Sequence, residues 1–239
     1  MRRTLPRLIA SCFLALVVVV GWGSSVGAWD TAAGSDTNWG STTWGGTGAD
    51  LGWSVAVDGS GNVYTTGHFS ETVNFGAGNV TSAGSYDVFV TKRNSSGAHQ
   101  WTTTFGGTAA DVGYSVAVDG SGNVHVTGYF AETVNFGAGN VTSAGSNDVF
   151  VTKLNSSGAH QWTTTFGGTN SDNSYGVAVD GSGNVHVTGY FDETVDFGAG
   201  NVTSAGNYDV FVTKLNSAGA HQWTTTFGAA GANAADRSY

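Results

Sequence analysis

The chain has 239 residues, of which 38 are Gly, one is Pro and 10% are charged, with a formal net charge of −9. Abundant Val, Thr and aromatic residues, with Leu and Met scarce, favour the pleated surface of strands, and so many glycines point to many tight turns. The acidic balance repels phosphate backbones and anionic lipid, which argues against nucleic acid or a membrane surface as partner.

The N-terminus reads as a secretory leader. Arg2, Arg3 and Arg7 precede an apolar run from Leu8 to Val20, and Val26-Gly27-Ala28 supplies the small residues a signal peptidase requires. The run is short for a membrane span. Cleavage after Ala28 is expected, giving a protein secreted or displayed at the cell surface, with no membrane insertion once the leader is gone. Cys12, the only cysteine, leaves with that leader, so no disulfide staples the mature chain. The three leader arginines leave too, so five basic residues face seventeen acidic ones, a net charge of −12.

After the leader, residues 29–47 contain Thr37–Trp44, which reads like the end of a blade. A unit of 61 residues then recurs three times, at 48–108, 109–169 and 170–230. The first two copies agree at 52 of 61 positions and the last two at 49. Within the first copy, two-residue alternation places strands near 54–57, 62–69, 87–93 and 99–105, joined by the Gly turns Asp58–Gly61 and Asn94–Gly97. The stretch from Ser70 to Tyr86 is long for a hairpin link, and Val73, Phe75 and Val80 suggest that it packs down as a small ribbon. The run Val88-Phe89-Val90 is apolar on both faces, as befits a strand sandwiched between neighbouring sheets. Ala234–Tyr239 reads like Ala109–Tyr114, so residues 231–239 are expected to begin a truncated fourth repeat.

Four antiparallel strands per unit is the size of a propeller blade. The stretch Gly106–Phe130, with Asp119-Gly-Ser-Gly-Asn123 at its centre, resembles the bacterial β-propeller repeat family known as SBBP repeats. The resemblance covers essentially the whole chain after residue 37. It implies an extracellular or surface setting and no particular activity. The expected fold is all-β, a propeller-type array of about three four-stranded antiparallel blades forming an incomplete ring.

Motifs that could carry chemistry each have a simpler explanation. Asp58-Gly-Ser-Gly-Asn62 and its copies open like calcium loops, yet lack Gly at the sixth position and a bidentate Glu at the twelfth. Gly45–Asp50 fits the start of a calcium nonapeptide, but its next copies lie 61 residues away, so it reads as an inter-blade connection. His68, His99, His125, His160, His186 and His221 recur at strand positions without a convergent ligand set, and read as partly exposed strand residues. The single Gly-x-Ser-x-Gly lies in the leader, at Gly23–Gly27, and Gly76-Ala-Gly78 has no helix after it. Asn79-Val-Thr81 and its copies are glycosylation sequons of consequence only in a host with that machinery.

No catalytic, cofactor-binding or metal-binding residues are therefore assigned, and no cofactor is expected. Blades this alike do not build one asymmetric active site. The function read from sequence is a non-enzymatic structural or binding module for a protein or glycan ligand. Alternatives are a multivalent lectin-like binder and a fragment of a larger propeller enzyme. Open blade faces predict self-association.

Overall fold

The computed structural model describes residues 43–229. The leader with its cleavage site, Cys12, residues 37–42 of the expected partial strand, and the expected fourth repeat lie outside the described residues.

Alternating side chains and Gly turns give three four-stranded antiparallel sheets, and the described residues contain no helix. The first sheet is built from β1 (Leu51–Val57), β2 (Val63–Phe69), β5 (Asp87–Arg93) and β6 (His99–Phe105) in that spatial order. Between β2 and β5, β3 (Thr72–Asn74) and β4 (Asn79–Thr81) pair as a small separate ribbon. The second sheet holds β7 (Val112–Val118), β8 (Val124–Asn135), β9 (Asn140–Leu154) and β10 (His160–Phe166). The third holds β11 (Asn173–Val179), β12 (Val185–Asp196), β13 (Asn201–Leu215) and β14 (His221–Phe227). In these two sheets the ribbon is continuous with the central strands, so β8–β9 and β12–β13 form long arms.

The turns explain themselves chemically. Gly61 and Gly97 sit at φ +77° and +82°, a left-handed backbone that residues with a Cβ rarely adopt. Asp58 Oδ1 accepts hydrogen bonds from the Ser60 and Asn62 amides, each at 2.9 Å, closing the turn from its own side chain.

The three sheets stand beside one another as blades and close no ring. First strands pack on first strands, β1 on β7 and β7 on β11, which makes them the inner edge of the array. The core lies between blades. Val88 and Val90 of β5 join Val116, Val126 and Phe150 in the cluster between blades one and two, while Phe89 turns to the opposite face with Phe69 and Phe75. An equivalent cluster, with Phe166, Val187 and Phe211, lies between blades two and three. Each buried Val or Phe contributes roughly 2 kcal/mol that a lone blade would lose.

Candidate functional site

The inner strands carry the most distinctive local geometry. β1 begins at Leu51, three residues before the expected start, because its register shifts between Gly52 and Ser54 and leaves Trp53 as an extra, bulged residue. The same shift occurs around Tyr114 in β7 and Tyr175 in β11. A bulge re-aims a side chain. Here it does so three times at the inner edge, and the rings meet: Trp53 to Tyr114 at 5.3 Å between centroids and Tyr114 to Tyr175 at 4.8 Å.

A second rank supports this row from the neighbouring strands. His68 receives a hydrogen bond at Nδ1 from Trp53 Nε1 at 3.1 Å, which places its own proton on Nε2. Tyr129 lies 5.9 Å from Tyr114, and Tyr190 lies 5.8 Å from Tyr175. Tyr86, just before β5, and Tyr208, midway along β13, complete the first and third ranks, where the second blade has Asn147. Burial among these rings, with Tyr129 and Tyr175 nearby, pushes the Tyr114 hydroxyl up to about 12. Trp53 remains 49% exposed, and Tyr114 and Tyr175 are half-buried. The result is a neutral platform of aromatic faces edged by hydroxyls. It suits stacking and hydrogen bonding.

The inter-blade connections lie at the same end of the blades. Asp111 Oδ2 accepts from the Gly107 amide at 2.8 Å and Oδ1 from the Ala131 amide at 3.0 Å, so one carboxylate ties the connection to the arm of the second blade. Asp172 repeats this with Gly168 and Asp192. Desolvation raises both carboxyls, Asp111 to about 6 and Asp172 to about 7. Glu132, held at φ +56°, reaches Thr108 Oγ1 at 2.6 Å and clamps the connection from above. The nonapeptide-like Gly45–Asp50 stretch belongs to this class of connection, with Gly46 donating to Asp50 at 2.6 Å.

At the opposite end, the calcium-like turns have committed their aspartate oxygens. Asp58 Oδ2 accepts from Asn62 Nδ2 at 2.7 Å and from the Tyr64 hydroxyl at 3.0 Å, and these bonds, with Asn62 foremost, hold the carboxyl down at about 2. Among the described residues no three His, Cys, Asp or Glu side chains gather in a way that could hold a metal ion.

His99, His160, His186 and His221 are partly exposed, as expected, whereas two of the six histidines are not. His125 is fully buried and His68 is 7% exposed, whereas the side chain of His186 is 34% exposed. The cause is the neighbouring blade. His125 lies beside Trp162, whose Nε1 donates to Ser217 O of the third blade at 3.1 Å, and that contact roofs the pair.

The axial aromatic row was missed by pattern reading, although Trp53, Tyr114 and Tyr175 stand 61 residues apart. The missing signal is the bulge, which alternation does not reveal.

Residues 100–129 and 161–190 match the family described as "Beta-propeller repeat", SBBP. These two segments match SBBP β-propeller repeats. Each matched segment runs from the outer strand of one blade, across the connection, to the second strand of the next. Tyr114 with Tyr129, and Tyr175 with Tyr190, therefore fall inside the matched repeats. A further similarity is to the "Uncharacterized WD repeat-containing protein L264" of Acanthamoeba polyphaga mimivirus, 26% identical over 193 residues. The alignment covers 69% of this chain and 13% of that protein, so the chain spans a small part of its relative's length.

Proposed function

We propose that this propeller-type repeat protein is a non-enzymatic binding module, exported from the cell, that holds its ligand on the axial aromatic row. The observation that carries this reading is the bulge on each inner strand, which presents Trp53, Tyr114 and Tyr175 in succession. Arg2–Ala28, with its basic start, apolar centre and small-residue end, supports export. The ligand class favoured by half-exposed rings edged with hydroxyls is carbohydrate, whose apolar ring faces stack on Trp and Tyr while its hydroxyls find polar partners. Repetition along the row gives avidity to weak single contacts.

Binding to a glycan array and titration of the best glycan test this. Trp53→Ala and Tyr114→Ala should each weaken binding by about fivefold, from the ~1 kcal/mol a stacked ring supplies. Absence of glycan binding, or binding indifferent to both substitutions, overturns the carbohydrate assignment. N-terminal sequencing of protein recovered outside the cell should begin at Trp29. Retention of the protein inside with Met1–Ala28 attached overturns export.

A further inference from the structure

The two outward faces of the blade row carry the two halves of the contact that already joins the blades. Where blade one meets blade two, Trp101 Nε1 donates to Ser156 O at 3.0 Å, Thr103 Oγ1 to Gly158 O at 2.8 Å, and Phe105 packs on Phe136 and Phe150. Blades two and three repeat this contact, with Trp162 on Ser217, Thr164 on Gly219, and Phe166 on Phe197 and Phe211. The third blade has the same donors in Trp223, Thr225 and Phe227, and there Trp223 is 42% and Phe227 55% exposed. Neither Trp223 Nε1 nor Thr225 Oγ1 makes an inter-blade hydrogen bond among the described residues. The first blade has the same receiver: the turn Asn94–Ala98 is identical to Asn155–Ala159, and Val55 and Val57 are 46% and 59% exposed where the equivalent Val116 is 6%.

We infer that a second copy of this chain docks head to tail, its first blade received by the third-blade face of its partner. The occupant is a second copy because that copy brings both the carbonyls of Ser95 and Gly97 and the apolar strand that these donors engage twice within one chain. A head-to-tail contact propagates until it closes. Two copies of the three described blades make six, inside the range of about four to eight blades of closed propellers, whereas three copies make nine, outside it. One residue stands in the way. Trp44 occupies the place on Phe75 and Phe89 that Phe105 takes on the second blade, with Arg93 over its ring at 4.7 Å. Docking exchanges Trp44 for the Phe227 of the second copy, which makes Trp44 a plug that keeps the association reversible. This inference is independent of the ligand reading, since its readout is mass.

Sedimentation equilibrium of the purified full chain should show a reversible monomer–dimer equilibrium. Trp223→Glu and Val55→Glu, both at exposed positions, should each weaken it by about a hundredfold without lowering the melting temperature. An equimolar mixture of the two variants should associate more tightly than either alone, because it restores one intact contact. Trp44→Ala should tighten dimerisation. A strict monomer at all concentrations overturns the inference. Sensitivity to Trp223→Glu but not Val55→Glu, the mark of a face-to-face dimer of third blades, overturns the head-to-tail arrangement. Weaker association of Trp44→Ala overturns the plug.

Discussion

His125 stands at the place that Tyr64 holds in the first blade and His186 in the third. Tyr64 satisfies its hydroxyl on Asp58, but both ring nitrogens of His125 lack a hydrogen-bond partner, and its approach to Asp119 at 3.6 Å is too long to be one. Burial, with the Lys153 charge adding to it, lowers the His125 imidazole to about 4. The folded blade therefore holds this imidazole neutral, while the unfolded chain protonates it near pH 6.5. Its contribution to stability is present above pH 6.5 and is lost as the pH falls from there to about 4, at roughly 3 kcal/mol. Asp111 and Asp172 act in the opposite sense. Their raised carboxyls favour the fold at low pH, and that contribution fades as the pH rises toward 6 and 7. Comparing wild type with His125→Tyr isolates position 125, because every other group is shared. The tyrosine should gain about 1 kcal/mol at pH 7 through a hydroxyl bond to Asp119. It should also lose about 3 kcal/mol less on acidification to pH 4. Urea melts at the two pH values check both, and parallel losses in the two proteins would refute the assignment.

The strand elements show which parts of the fold simple alternation reveals. β2, β5 and β6 fall within a residue of where alternation and Gly turns place them, because hydrophobic period and turn chemistry agree there. β1, β7 and β11 do not, since each contains a bulge that interrupts the two-residue period. The cause lies across the ladder. A Cβ on Gly128 would sit 1.8 Å from Val112 O, and Gly67 and Gly189 meet Leu51 O and Asn173 O at 1.8 and 2.0 Å. The glycine on the second strand admits the close backbone approach that the bulge requires, and the bulge then aims the aromatic ring. Reading Gly67 as an ordinary strand residue hides the aromatic row with it. Gly128→Ala should therefore cost more than about 3 kcal/mol, since neither backbone can give way. Gly120→Ala, at a turn with nothing within 4 Å, should change stability by less than about 0.5 kcal/mol. Thermal melts of the two single variants decide the matter, and equal effects would show that the close approach is not needed.

At the scale of the whole blade row, the chain contains its own control experiment. β6, β10 and β14 have one sequence, His-Gln-Trp-Thr-Thr-Thr-Phe, so their amides have the same intrinsic exchange rates. Only their surroundings differ. The next blade covers β6 and β10, whose terminal Phe105 and Phe166 are both 4% exposed, while Phe227 at the end of β14 is 55% exposed. A repeat array is stabilised by its blade-to-blade contacts, so a strand without that contact opens locally at lower free energy. Hydrogen exchange at low protein concentration should find β14 exchanging at least about tenfold faster than β10, a difference of ~1.4 kcal/mol in opening. Peptides covering 93–105, 154–166 and 215–227 separate the three copies, because Arg93 against Leu154 and Leu215, and Ala218 against Ser157, give them different masses. Raising the concentration should slow β14 selectively if a second copy covers the third-blade face, and leave β6 and β10 unchanged. Equal protection of all three strands at high dilution would mean that blade contacts contribute little to local stability, and that each sheet holds itself together.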